Sequence, residues 1–258
     1  AERYLELLEE SVELQKTSDV PLGAFLSGGL DSSSIVAMLS RVQSAPVKTF
    51  SIGFDDAEAN ELDYARAVAH HFGTDHTEAI LQPDVVSMTE TLTRNFGEPF
   101  ADSSAIPTWL VSKLAREHVT VALSGDGGDE LFAGYSWLHT NLKVDQYRRI
   151  PSLFRHGIGS ALSMFKSTPY QRKVKRFHKD AYRSPMDSYR RRHQCFDASL
   201  LSDLLLPGIN KRIDATHQDR YNEHLENSLS LSNQNRMLYQ DTVMYLPDDI
   251  LTKVDRMS

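Results

Sequence analysis

The chain has 258 residues, 40% hydrophobic and 24% charged, which suits one sizeable globular domain or a domain with a helical extension. No run approaches the roughly 20 consecutive apolar residues of a membrane helix, and the acidic, amphipathic start AERYLELLEE does not read as an export signal, so a cytoplasmic location is expected. A single cysteine, Cys195, excludes an internal disulfide framework and a multi-cysteine zinc site, and beside Phe196 it reads as a partly buried structural thiol.

Apolar runs rich in β-branched residues alternate with amphipathic patterns, as in a parallel sheet covered by helices. A helix is expected over 2–16, where Leu5, Leu8 and Val12 recur at helical spacing, and Pro21 then introduces a buried strand over 22–26. After a glycine-rich turn, the pattern predicts a helix over 32–42, a strand over 47–54 and a helix over 61–72 ended by Gly73. A strand over 76–81 follows, then a helix over 106–117 with Pro107 in its first turn, and a strand over 119–123 running into a second glycine-rich turn. Beyond residue 137 the segments are polar and helix-like, broken at Pro151, Pro169, Pro185 and Pro207. The expected division is an α/β core over 1–136 and a mostly helical part over 137–258.

The net charge of −7 hides an asymmetry, because residues 143–192 hold 14 Lys and Arg against three Asp. Such a stretch can serve a nucleic acid, but it lacks periodic aromatic residues for base stacking; a solvated helical extension or a face toward another domain fits better.

The first glycine-rich turn, Ser27-Gly28-Gly29-Leu30-Asp31-Ser32-Ser33, lies between a buried strand and a helix N-terminus, a place that binds anions. Gly28 and Gly29 let backbone amides approach phosphate oxygens, the hydroxyls of Ser27 and Ser32 add donors, and Asp31 suits a Mg²⁺ ion that bridges phosphates. A plain helix cap also uses Asp and Ser, yet two glycines and three hydroxyls exceed what capping needs. With no Lys-Ser or Lys-Thr after the glycines and no GxGxxG, neither a Walker loop nor a dinucleotide fingerprint is present. The second turn, Ser124-Gly125-Asp126-Gly127-Gly128-Asp129-Glu130, carries three acids that could complete a magnesium shell with Asp31.

SGGLDSS matches the SGGxDS signature of pyrophosphatase-loop enzymes, which split ATP between its α and β phosphates. The second turn and Tyr245-Leu246-Pro247-Asp248-Asp249-Ile250-Leu251-Thr252-Lys253-Val254-Asp255-Arg256 are similar to the second and third signatures of asparagine synthetases. Thr49-Phe50-Ser51-Ile52-Gly53 and Gly97-Glu98-Pro99-Phe100-Ala101-Asp102-Ser103-Ser104 extend the resemblance over nearly the whole chain.

The resemblance implies an adenine nucleotide alpha hydrolase-like sheet with helices on both faces and an ATP- and Mg²⁺-dependent, amide-forming ligase. In that reaction the side-chain carboxylate of aspartate attacks the α-phosphorus, pyrophosphate leaves, and ammonia converts the β-aspartyl-adenylate to asparagine. It further implies that Ser27, Gly28, Gly29 and Ser32 cradle pyrophosphate, that Leu26, Ile52 and Gly125 hold adenosine by backbone contacts with Ser124 beside them, and that Asp31 and Asp129 bind Mg²⁺. Lys253 would neutralise developing charge. Asp126 stands where several family members carry glutamate, in reach of the proton that the attacking nitrogen must lose; the shorter side chain leaves the acceptor carboxylate open. Expected partners are aspartate, ATP and ammonia, a glutaminase domain in the full-length chain, and a second copy in a homodimer, with no membrane and no nucleic acid. The family's N-terminal glutaminase and the continuation of the third signature are not in this chain, which reads as a fragment; Cys195 does not replace the glutaminase nucleophile. The alternatives are an amidotransferase of the same family acting on another small carboxylate and, behind it, a tRNA-modifying enzyme that shares the pyrophosphatase loop, supported by the basic stretch and opposed by the Asp-rich second turn and the Lys253 motif. His70, His71 and His76 lack partners at ligand spacing and are not assigned a metal, and Trp109 and Trp137 are expected in the core or closing the site.

Overall fold

The computed structural model describes residues 2–55, 61–81, 84–98, 100–163, 168–193, 198–206, 209 and 221–258; the readings made for Cys195 and Pro207 lie outside them. The chain forms two compact units, residues 1–128 with 245–258, and residues 129–244.

The first unit alternates helix and strand: α1 (Glu2–Gln15), β1 (Leu22–Phe25), α2 (Leu30–Val42), β2 (Lys48–Gly53), α3 (Leu62–Phe72), β3 (Asp75–Ile80), α4 (Val85–Phe96), α5 (Ala105–Arg116) and β4 (Val121–Leu123). All four strands are parallel, in the order β3-β2-β1-β4, with Ala24 in register with Thr49 on one side and Leu123 on the other. The two faces of the sheet are read off β1. Leu22 and Ala24 join Val12, Val36, Leu39, Ala65 and Ala69 of α1, α2 and α3, whereas Phe25 joins Phe50, Val111, Leu114, Ala115 and Val119 around α5. Each face is therefore buried under helices, as an all-parallel sheet requires. Gly23 makes room for this: a Cβ there would come within 2.8 Å of the Phe50 ring.

The expected elements of this unit form with boundaries within two residues, and α4 is an addition to them. Its sequence, VVSMTETLTRNF, is rich in β-branched and hydroxyl residues that favour helix weakly. Tertiary packing decides: Leu92 and Phe96 join Phe100, Ala105, Trp109 and Met257 in a separate cluster.

The second unit is helical among its described residues. After α6 (Gly128–Phe132) come α7 (Ser136–Arg148), α8 (Ser152–Ser163), α9 (Pro169–Asp180), α10 (Pro185–Arg190), α11 (Ala198–Leu204), a helical segment α12 at 221–227, and α13 (Asn233–Gln240). Pro169 and Pro185 start helices rather than merely ending them, each in the first turn behind a hydroxyl cap, Thr168 in a full capping box with Gln171 and Ser184 bonded to the Asp187 amide. A widened, π-type helix, Asp241–Leu251, with Pro247 inside it, returns the chain to the first unit, where α14 (Thr252–Met257) packs on α5 and α4.

Much of the basic stretch is spent inside this second unit. Arg148 donates to the carbonyls of Asp180 and Arg183, both at 2.8 Å, and Arg155 to those of Ala181 and Ile150 at 2.9 and 3.0 Å. The carbonyls of Asp180, Ala181 and Arg183 lie around the end of α9, and that of Ile150 just past the end of α7, where helix geometry leaves carbonyls in need of outside donors. Buried Asp180 accepts ion pairs from Arg183 and Arg192. Arg172, Lys173, Arg176 and Lys179 remain exposed on α9.

A buried polar cluster lies beside the second unit's apolar core of Leu138, Met186, Tyr189 and Met237. Asp241, fully buried, accepts hydrogen bonds from the Tyr189 hydroxyl and the Trp137 indole, whose ring stacks on Tyr135; Tyr135 in turn donates to buried Glu130. Burial, together with the charge of Glu130, outweighs the two hydrogen bonds and pushes the Asp241 carboxyl up to about 6. As pH rises the unfolded chain releases this proton first, so stability falls between pH ~4 and ~6 and is level above, a loss on the order of 3 kcal/mol. Asp241→Asn should abolish that step, as read by urea unfolding of the second unit at pH 4, 5, 6 and 7.

Candidate nucleotide site at the strand ends

The sheet order creates the site. β1, β2 and β3 progress in one direction, whereas β4 adds on the opposite side of β1, so the order reverses between β1 and β4. In open parallel sheets a crevice forms at such a reversal, outside the carboxyl ends of the strands. The two strands that flank it carry the two glycine-rich turns.

In the first turn the backbone bends sharply at Gly28, with φ +84°, and a Cβ there would lie 2.5 Å from Cβ of Tyr64 and 2.6 Å from the Ala65 amide nitrogen. α2 then starts at Leu30, and the hydroxyls of Ser27 and Ser32 bond each other at 3.0 Å, while Ser27 Oγ also accepts from the Gly29 amide and Ser32 Oγ from the Ser27 amide, both at 3.2 Å. The second turn packs directly against the first. A Cβ on Gly125 would come 2.7 Å from the Ser32 amide nitrogen, and one on Gly128 would collide with the Asp31 carboxylate. Only bare glycine backbone fits between the turns, and this explains glycines 125 and 128 better than turn geometry alone.

Beside the turns lies a cavity of about 270 Å³, just under the roughly 300 Å³ at which small-ligand pockets begin. Leu26 and Ile52, two of the three residues expected to hold adenosine, line it with Ser27, Phe54, Pro107 and Thr108, whereas Gly125, the third, is not among its lining residues. Leu26 is held in place by its amide bond to the Phe50 carbonyl, 2.9 Å, and by the Ser51 hydroxyl donating to its own carbonyl. A larger hollow of about 810 Å³ runs along the open edge of β4 beside α5 and α14; it touches the second turn only at Ser124, whereas the smaller cavity reaches the first turn at Ser27.

The remaining expected residues have distinct surroundings. Asp126 is exposed and accepts a hydrogen bond from Ser124 at 2.7 Å, so two expected residues meet there. Asp129 belongs to the second unit, in the first turn of α6, where a Cβ on Gly134 would collide with its carboxylate. Lys253 is buried: its ammonium donates to Asp102 Oδ2 at 3.0 Å and to Ser104 Oγ at 2.7 Å. Asp102 and Ser104 carry no role in the sequence reading beyond membership of the 97–104 motif, and Pro107 and Thr108, the third and fourth residues of α5, give no local signal of a place in the cavity wall. His76, left without a metal role, bonds the Thr49 hydroxyl through Nδ1 at 2.9 Å, and burial holds its pKa down. Trp109 packs with Phe96 and Met257.

A parallel sheet wrapped on both faces, with glycine-rich turns on either side of its reversal, defines an α/β domain of the adenine nucleotide alpha hydrolase type. The chain belongs to the asparagine synthase family, whose model, described as Asparagine synthase, matches residues 3–258. It is 33% identical over 250 residues to asparagine synthetase (glutamine-hydrolyzing) 1 of Bacillus subtilis, an alignment covering 96% of this chain and 38% of that protein. It is also 32% identical over 148 residues to the asparagine synthetase (glutamine-hydrolyzing) of Bos taurus, covering 52% of this chain and 25% of that one. The chain thus spans less than two fifths of the length of these curated relatives. No helix among the described residues is long and apolar enough to cross a membrane.

The two glycines of the first turn should respond differently to alanine. Gly28→Ala carries both left-handed backbone strain and a clash with α3 and should lower stability by about 1–3 kcal/mol; Gly29→Ala, at φ −68° with only Ser27 Oγ at 3.3 Å nearby, should stay within about 0.5 kcal/mol of the parent in thermal unfolding.

Proposed function

We propose that this chain is the synthetase part of an ATP-dependent, amide-forming ligase that activates the side-chain carboxylate of aspartate and passes it to ammonia derived from glutamine. The observation that carries the reading is the packing of Gly125 on the Ser32 amide and of Gly128 on the Asp31 carboxylate, at the reversal point of a parallel sheet. It presents amides, hydroxyls and a carboxylate together at one crevice, which suits a magnesium nucleotide.

The first-turn amides and the hydroxyls of Ser27 and Ser32 bind the departing pyrophosphate, while Leu26 and Ile52 seat adenosine. Asp31 makes no ion pair with a basic side chain among the described residues and is walled by glycine, an arrangement that fits a cation ligand. Asp31 would hold Mg²⁺, which when bound supplies neutralisation of the triphosphate charge. The aspartate carboxylate displaces pyrophosphate from the α-phosphorus; ammonia then attacks the acyl carbon, AMP leaves, and Asp126, exposed and fixed by Ser124, takes the surplus proton. Lys253 offsets charge near the leaving group. Because Asp126 is shorter than the glutamate of several family members, a different small carboxylate acceptor is the second reading. The internal use of Arg148, Arg155, Arg183 and Arg192 weighs against an RNA-modifying enzyme.

ATP–pyrophosphate exchange with Mg²⁺, on the protein at its natural length, tests this. Exchange should require aspartate and fall at least about 100-fold in Asp31→Ala. Exchange with another carboxylate alone would move the substrate, and no exchange together with tight RNA binding would sink the ligase.

A further inference from the structure

Lys253 sits in a closed polar triangle. Its ammonium contacts Asp102 Oδ2 and Ser104 Oγ, and Ser104 itself donates to that same Asp102 oxygen at 2.7 Å and, through its amide, to Oδ1 at 2.9 Å. The lysine side chain is 8% exposed and the aspartate 17%, so the pair is shielded from solvent. Although burial acts to raise it, the hydrogen bonds from Ser104 and Lys253 hold the Asp102 carboxyl below its usual range. Asp249, one turn before the lysine, has an oxygen with no hydrogen-bond partner, and burial and the charge of Asp102 push its carboxyl up. Of the two carboxylates near the ammonium, Asp102 holds it.

The triangle does not end at the lysine. The Ser104 carbonyl accepts from the Thr108 hydroxyl at 2.8 Å and from the Thr108 amide at 3.0 Å, and Thr108 with Pro107 lines the cavity shared by Leu26 and Ser27. A continuous set of hydrogen bonds therefore runs from the 245–258 segment through the start of α5 to the cavity wall.

We propose that Asp102 and Ser104 are positioning residues, which fix Lys253 and through it set the first turn of α5 against the bound adenine nucleotide. This rests on reading the cavity as the ATP site, and it makes Lys253 act through neighbours as well as through its charge. The bonds span 151 and 149 residues of sequence and tie the third signature to the motif that precedes α5.

The test is the Kd for MgATP of the natural-length protein and of Asp102→Asn, Lys253→Met, their double variant, and Ser104→Ala, with thermal melting as the fold check. Each charge variant should weaken binding about 10- to 100-fold, by analogy with residues that orient a ligand from behind. The double variant should bind no worse than the weaker single variant. Ser104→Ala, which keeps the ion pair, should melt like the parent yet bind several-fold more weakly, and the KM for ATP should rise while that for the acceptor carboxylate stays level. Additive losses, or parent-like affinity in folded Ser104→Ala and Asp102→Asn, would overturn the proposal while leaving the ligase intact. A parent protein with no affinity for ATP would overturn both.

Discussion

The approach of Gly125 to the Ser32 amide is the contact on which the rest of the first unit turns. β1 and β4 are neighbours in the sheet and distant in sequence, and their turns meet only because the chain, after running outward through β2 and β3, crosses back to place β4 on the other side of β1. A side chain at either meeting point would force the turns apart. With glycine there, the start of α2, its amides and the Asp31 carboxylate lie against the backbone of the second turn. The helices on both faces fix the strands, the strands fix the turns, and the turns bring amide donors and a carboxylate to one place.

The strand ends were legible because their chemistry is local. A buried apolar run followed by glycines, hydroxyls and acids needs no knowledge of distant residues, and Leu26 and Ile52, read as neighbours of one ligand, share a cavity wall with Ser27. α4 was not legible, since Thr and Val carry weak helix preference and its stability comes from Trp109 and Met257, both remote in sequence. The Lys253 triangle was hidden for the same reason. Its motif stood out, but nothing in the periodicity of 245–256 indicates a partner 151 residues earlier. Prolines 169 and 185 announced helix breaks correctly in place and incompletely in sense, because Thr168 and Ser184 convert each into a start.

The basic stretch has a structural account in part. Arginine's planar fork can satisfy several carbonyls at once, and Arg148 does so across two ends of the same bend while pairing with Asp145. Composition counted these groups as surface charge; four of them are fasteners at the end of α9.

The paired hydroxyls of Ser27 and Ser32 bear on how an anion would enter the first turn. Each already has partners within the turn, so an incoming phosphate oxygen trades one set of hydrogen bonds for another of similar enthalpy. Little affinity would come from the hydroxyls themselves. The net gain would be electrostatic, from the oriented amides at the start of α2 and from any cation beside Asp31, and so grip on the nucleotide would weaken with rising ionic strength while the shape of the turn stayed the same.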